Sequence, residues 1–209
     1  MKIAVTGADG WLGKWICSRI ENTPMMSLVR IGYSNPQNFN FSWDCTKPDS
    51  IETLSRNILG VDVVIHCAGL AHMENETFYV CNKLYEINSE GTRHVVEACH
   101  NAKVKRITLI SSISLYDFDV SGIPNEESLI KPRSAYAKSK VGAENWIKQS
   151  GLDYRIVRLA TLYGDGDIGN FRKLATSLKK RRFLLPINNG ALKSVLPVQL
   201  AAKLIFEFS

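Results

Sequence analysis

Two rhythms of apolar residues alternate along this chain. Short, nearly solid runs occur at Lys2–Thr6, Ser27–Ile31, Val61–His66, Arg106–Ser111 and Tyr154–Leu159. They are rich in Ile, Val and Leu, the pattern of strands covered on both faces of a parallel sheet. Between them the apolar positions fall at helical spacing. Trp11–Glu21 carries Leu12, Trp15, Ile16 and Ile20 on one side, Ser50–Asn57 reads as a short helix, and Leu84–Ala102 as a long one with Ile87, Val95, Val96 and Ala98. Ser134–Gln149 is a further helix. Strands alternating with helices of these lengths predict an α/β fold with a doubly wound parallel sheet. Tyr116–Arg133, with Gly122, Pro124 and Pro132, reads as loop. Beyond Gly164 the rhythm becomes irregular, with a basic helix at Phe171–Arg182 and a final apolar stretch at Ala201–Phe208.

Composition narrows the class. With 209 residues, 45% of them hydrophobic and 22% charged, the chain can bury about 70% of its unfolded surface and needs no metal or disulfide to fold. No apolar run reaches the roughly 18 residues of a membrane span. Met1-Lys2-Ile3 leads straight into the first strand, unlike a signal peptide. The five cysteines (Cys17, Cys45, Cys67, Cys81 and Cys99) form no C-x-x-C pair. They are expected to be reduced packing residues of a cytoplasmic protein. The four histidines lack zinc-ligand spacing, so no metal site is expected.

Charge is uneven. Residues 1–130 hold 11 Lys+Arg against 15 Asp+Glu, a net −4, whereas residues 131–209 hold 15 against 5, a net +10. A basic half suits nucleic acid, a diphosphate-bearing ligand or an acidic partner. The run Lys179-Lys180-Arg181-Arg182 closes a predicted helix, where positive charge complements the dipole. No stacking aromatics interleave with it, so nucleic acid is not expected.

Candidate chemistry begins at Gly7-Ala8-Asp9-Gly10-Trp11-Leu12-Gly13, a G-x-x-G-x-x-G loop between the first strand and the first helix. Glycines there permit a tight turn and the approach of a pyrophosphate to backbone N–H groups at a helix N-terminus. A carboxylate closing the second strand normally grips the ribose 2′-OH of NAD. None lies between Glu21 and Asp44. Arg30, near that strand end, is a candidate partner for a 2′-phosphate, so the reading leans to NADP(H), with Ser34 an alternative occupant of the position. Further on, Tyr136 and Lys140 form a Y-x-x-x-K on a predicted helix, which puts both side chains on one face. An ammonium beside a phenol is expected to lower the tyrosine pKa and make it a proton donor and acceptor near neutrality. Ser112 lies 24 residues earlier, at the end of a buried strand where sites of parallel sheets gather.

With these features the chain resembles the extended short-chain dehydrogenase/reductases, and among them the NAD-dependent epimerase/dehydratase group acting on nucleotide sugars. The resemblance rests on VTGADGWLG (5–13), DVVIHCAGLAHM (62–73), INSEGTRHVVEAC (87–99), RITLISSISLY (106–116), YAKSK (136–140) and VRLATLYGDGDIGNF (157–171). It implies a Rossmann domain over residues 1–164 and a shortened C-terminal substrate-binding region over 165–209. It also implies that Gly7, Gly10, Trp11 and Leu12 line the pyrophosphate, that Asp44 and Cys45 sit at the adenine, and that Ala68, Gly69 and Leu70 pass the ribose and nicotinamide. Asn88 would support the site. Ser112 would bond the reacting sugar oxygen, Tyr136 exchange the proton, Lys140 hold the nicotinamide ribose and Asn170 lie near the substrate diphosphate.

The activity implied is epimerisation or 4-ketoreduction at C4 of a UDP-hexose or UDP-N-acetylhexosamine, with NAD(P), in surface-polysaccharide synthesis. Dehydratases of the group place Thr-Asp-Glu at the strand-end serine, whereas this chain has Ser111-Ser112-Ile113, so 4,6-dehydration is not expected. Self-association through the long helices is common among the proteins it resembles, which makes a homodimer a candidate. The alternative expectation is a protein that binds dinucleotide without sugar turnover.

Overall fold

The computed structural model describes residues 1–34, 37, 39–71, 77–116, 124–167, 170–180 and 194–209. Six parallel strands form the central sheet: β1 (Lys2–Thr6), β2 (Ser27–Gly32), β3 (Phe41–Ser42), β4 (Val63–His66), β5 (Arg106–Ser112) and β6 (Asp153–Leu159). Their order is β3-β2-β1-β4-β5-β6, so the direction of winding reverses between β1 and β4. That reversal opens a crevice at the carboxyl ends of the strands. The register of β5 on β6 pairs Ser112 with Leu159.

Side chains alternate across the sheet and build two cores. On one face Ala4, Ile31, Val64, Ile107 and Leu109 pack against α2 (Ser50–Asn57), α4 (Gly91–Asn101) and α5 (Ala135–Gln149) through Leu54, Val95, Cys99, Ala143 and Ile147. On the other, Ile3, Val5, Ile65 and Ile110 pack against Ile16 and Ile20 of α1 (Trp11–Glu21). The expected helix at Leu84–Ala102 begins earlier and is interrupted. α3 (Phe78–Leu84) runs into a π-helical turn at Tyr85–Glu90 and then into α4. Such a turn inserts a residue into the helical repeat and re-aims side chains.

After β6 the chain forms β7 (Thr161–Tyr163) and α6 (Asn170–Lys179), then β8 (Val195–Pro197) and α7 (Val198–Phe208). β7 and β8 pair in a separate two-stranded sheet. Within the 165–209 region, α7 turns back onto α1, and its Ala202 and Ile205 join the second core. Among the described residues no helix is long and apolar enough to cross a membrane.

Candidate active site

The crevice floor is made by glycines. Gly7 has φ +69, and a Cβ there would stand 2.7 Å from backbone atoms of Ala68. A Cβ on Gly13 would meet the Gly7 carbonyl oxygen at 2.0 Å. Any side chain at either position would push the loop off β4 or the helix off the loop. Gly10 is the N-cap of α1 and no side chain caps the helix. The first amides of α1, including those of Trp11 and Leu12, therefore lack intrahelical partners beside the loop. These features fit a pyrophosphate. The Trp11 side chain does something else: its Nε1 donates to the Asp165 carbonyl at 2.7 Å, tying the loop to the segment after β7.

The tip of β2 differs from expectation. Arg30 does not reach the tip of β2. Its Nη2 donates to Glu21 Oε2 at 2.6 Å, at the far end of α1, roughly 15 Å along the helix from the glycine loop. The group found at the tip is Asp9, from the loop itself. Its Oδ2 accepts from the N–H groups of Tyr33 at 3.1 Å and Ser34 at 2.7 Å, and from the Ser34 hydroxyl at 2.9 Å. Gly32 leaves room for it, since a Cβ there would lie 2.9 Å from Asp9 Cγ. Partial burial pushes the Asp9 carboxyl upward, but the donors of Ser34 and Tyr33 outweigh it and hold the pKa below the usual value. Asp44 and Cys45 follow β3. Asp44 Oδ1 accepts from the N–H and hydroxyl of Thr46, and Cys45 packs under Gly91 of α4.

At the other end stand Ser112, Tyr136 and Lys140. Ser112 ends β5 and its Oγ accepts from Ser114 N–H at 3.1 Å. Ser134 caps α5 by accepting from Ala137 N–H at 3.1 Å, which sets the helix start at Ala135, one residue before Tyr136. The Tyr136 phenol is close enough to the Ser112 side chain for that hydroxyl to draw its pKa down. Lys140, 6% exposed, directs its amine toward Gly69, where a Cβ would lie 3.9 Å from Nζ. Burial pushes that amine down to about 8, against the opposing effects of Cys67 and Glu144. Tyr136 corrects one expectation. Burial raises its phenol pKa above the usual value, and the nearby Ser112 side chain only partly offsets this.

Beneath these residues runs a directional chain of hydrogen bonds. The Asn88 carboxamide spans Leu70, accepting from its N–H at 2.7 Å and donating to its carbonyl at 3.0 Å, and also donates to Ser139 Oγ at 2.9 Å. Ser139 Oγ in turn donates to the Tyr136 carbonyl at 2.8 Å. Thr92 Oγ1 donates to the Asn88 carbonyl at 2.6 Å and so must accept from His66 Nε2 at 3.0 Å. Thr6 Oγ1 lies 2.7 Å from His66 Nδ1 and accepts from Ala68 N–H at 3.3 Å. Donors and acceptors balance only if His66 is neutral with its proton on Nε2. Burial agrees, lowering its pKa to about 3. The π-turn brings Asn88 into this chain.

One residue pair had no signal in spacing or motif. Glu144, one turn beyond Lys140 and 1% exposed, accepts from Arg158 Nε at 2.8 Å and Nη2 at 2.7 Å, from Ser111 Oγ at 2.7 Å and from Lys148 Nζ at 3.1 Å. Arg158 Nη1 also donates to the Tyr116 hydroxyl at 2.6 Å. Burial raises the Glu144 carboxyl, yet the Arg158 and Ser111 bonds prevail and its pKa is lowered. Asn170 opens α6, and its side chain lies outside the described residues, as do His72, Arg181 and Arg182.

A glycine loop at the sheet reversal, facing a Ser/Tyr/Lys set on β5 and α5, defines the short-chain dehydrogenase/reductase class. Within it the chain belongs to the NAD dependent epimerase/dehydratase family, which matches residues 3–193. It is 27% identical over 194 residues to a dTDP-D-glucose 4,6-dehydratase of Dictyostelium discoideum, covering 78% of this chain and 44% of that enzyme. It is 27% identical over 177 residues to a dTDP-4-dehydrorhamnose reductase of Mycobacterium tuberculosis, covering 79% and 51%. The chain thus spans about half the length of these curated relatives. Among solved structures, the UDP-N-acetylglucosamine 4-epimerase of Bacillus cereus superposes with a TM-score of 0.82 at 26% identity, covering 98% of this chain and 70% of that one.

Proposed function

We propose that this chain forms the dinucleotide-binding and proton-transfer part of a cytoplasmic NAD(P)-dependent enzyme. It would act at C4 of a UDP-hexose or UDP-N-acetylhexosamine, as an epimerase or 4-ketoreductase, in surface-polysaccharide synthesis. The carrying observation is the juxtaposition of Tyr136 on α5 with Ser112 at the carboxyl end of β5, with the Lys140 amine on the same helix directed toward Gly69. Residues 1–164 are assigned to the dinucleotide and residues 165–209 to the start of the substrate region, where Asn170 and the basic helix α6 would meet the diphosphate.

The residues present fit the cofactor, because Gly7 and Gly13 let the loop pack closely where a Cβ would strike the backbone of Ala68 and of Gly7, and the first amides of α1 stand beside that loop with no side chain capping them. Backbone N–H groups of Trp11 and Leu12 would hold the pyrophosphate, with Gly7 and Gly10 lining it, Ala68, Gly69 and Leu70 the ribose and ring, and Lys140 the nicotinamide ribose hydroxyls. When bound, the nicotinamide supplies a two-electron acceptor or donor beside the sugar carbon. Tyr136 Oη takes the proton from the C4 hydroxyl or returns it to the C4 oxygen. Ser112 Oγ orients that oxygen. Fixing these groups on β5 and α5 supplies rate through orientation. Ser112-Ile113 brings no carboxyl to the strand end, so the chemistry stays at one carbon and does not extend to dehydration.

The test is turnover of UDP-glucose and UDP-N-acetylglucosamine by the wild type and by Tyr136→Phe. Undiminished turnover in the variant would remove the assignment. Net consumption of reduced cofactor separates ketoreduction from epimerisation, which consumes none. The length relative to the curated relatives favours a second reading, dinucleotide binding without sugar turnover. Calorimetry showing cofactor binding and no UDP-sugar binding would support it. Exposed Phe78 and Tyr79 on α3 support a homodimer through this helical face, tested by sedimentation.

A further inference from the structure

We infer that Asp9 selects a dinucleotide whose adenosine ribose carries a free 2′-hydroxyl, NAD(H), over one carrying a 2′-phosphate. This rests on the dinucleotide reading of the crevice proposed above. In a sheet wound in this order the pyrophosphate lies at the β1–α1 loop and the adenosine extends over the tip of β2. Dinucleotide sites of this fold tell the two cofactors apart at that tip, by a carboxylate for the hydroxyl or a cation for the phosphate.

The second strand itself ends without either. No Asp or Glu lies between Glu21 and Asp44, and no Lys or Arg between Arg30 and Lys47. Arg30 is turned to Glu21. What stands at the tip is the Asp9 carboxylate, carried there by the glycine loop and admitted by the missing side chain of Gly32. It acts against a 2′-phosphate in two ways. Its charge repels the phosphate, and it already occupies the N–H groups of Tyr33 and Ser34 and the Ser34 hydroxyl, the donors an incoming phosphate would need. Its depressed pKa keeps it ionised at neutral pH. The acid missing from the end of the second strand is thus supplied from the first loop, three residues after β1.

The experiment is calorimetric titration of the wild type and of Asp9→Asn with NADH and, separately, NADPH. The asparagine keeps an acceptor oxygen for Tyr33 and Ser34 and removes the charge. The wild type is expected to bind NADH at least about tenfold more tightly than NADPH, and the variant to narrow that ratio about tenfold, mainly by gaining NADPH. A wild-type ratio near one or in favour of NADPH overturns the inference without any variant. So does an unchanged ratio in a folded Asp9→Asn protein, with Asp9→Ser as the second variant should the first not fold. If the wild type binds neither dinucleotide, the dinucleotide reading itself has failed, and the inference with it.

Discussion

The two ends of the crevice are built from different materials. At the proton-transfer end, buried polar groups hold one another in a closed set: Thr6, His66, Thr92, Asn88 and Ser139 form one chain, and Glu144 with Arg158 a bidentate pair beside it. At the end formed by the glycine loop a half-exposed carboxylate, Asp9, organises the tip of β2. Buried polar groups tolerate no missing partner, so the first end is rigid and costly to alter. The second faces water, where a charge can change with little effect on the fold. On the proposed function, orientation of reacting atoms would reside in the buried network and choice of cofactor in the half-exposed carboxylate.

Substitutions can break this contrast, and the largest effect belongs to the proton-transfer end. Tyr136→Phe is expected to lower turnover by about 10²–10⁴-fold with an unchanged melting curve. A drop in melting temperature of similar size would instead make Tyr136 a structural residue. Next, Glu144→Gln leaves the largely covered Arg158 guanidinium beside a buried neutral group. It is expected to cost about 3–5 kcal/mol in urea unfolding, and a loss near zero would show that the pair is not closed in solution.

His66 sharpens the same contrast through pH. Its folded pKa of about 3 lies below the ordinary 6.5, so between those values the unfolded chain binds the extra proton. This group's contribution is complete above about pH 6.5 and falls as pH drops toward 3, by about 1.4 kcal/mol per unit. Urea midpoints across that window should show a shallower slope for His66→Gln. Nitrogen chemical shifts of His66 should report the Nε2–H tautomer. The smallest effect is at the other end. Arg30→Gln is expected to change stability by less than about 1 kcal/mol, as for other exposed pairs, and to leave NADPH binding unaltered. Weakened NADPH binding would return Arg30 to the cofactor.

Much of the fold was legible because its signals are local. The apolar runs place β1, β2, β5 and β6 within a residue or two of their observed bounds, since strands buried on both faces must be nearly all apolar. The loop and the Y-x-x-x-K were legible for the same reason: glycine spacing and a four-residue offset act within one turn. The two-residue β3 was not foreseen, since Phe41 and Ser42 are both exposed and carry no burial pattern. The start of α3 and the π-turn were also hidden, because the inserted residue breaks the repeat on which the reading depends.

By itself the sequence determined the α/β alternation, the glycine loop and the set Ser112, Tyr136 and Lys140, each carried by composition or spacing over a few residues. Only the tertiary structure decided that Arg30 pairs with Glu21, that Asp9 reaches Ser34 across 25 residues of chain, and that Glu144 and Arg158 meet from a helix and a strand. It also decided that Tyr136 is covered enough for burial to raise its phenol pKa. Charged and polar side chains take whichever partner the packed backbone brings within about 3 Å, and that partner depends on the packing of distant segments, which no local pattern records.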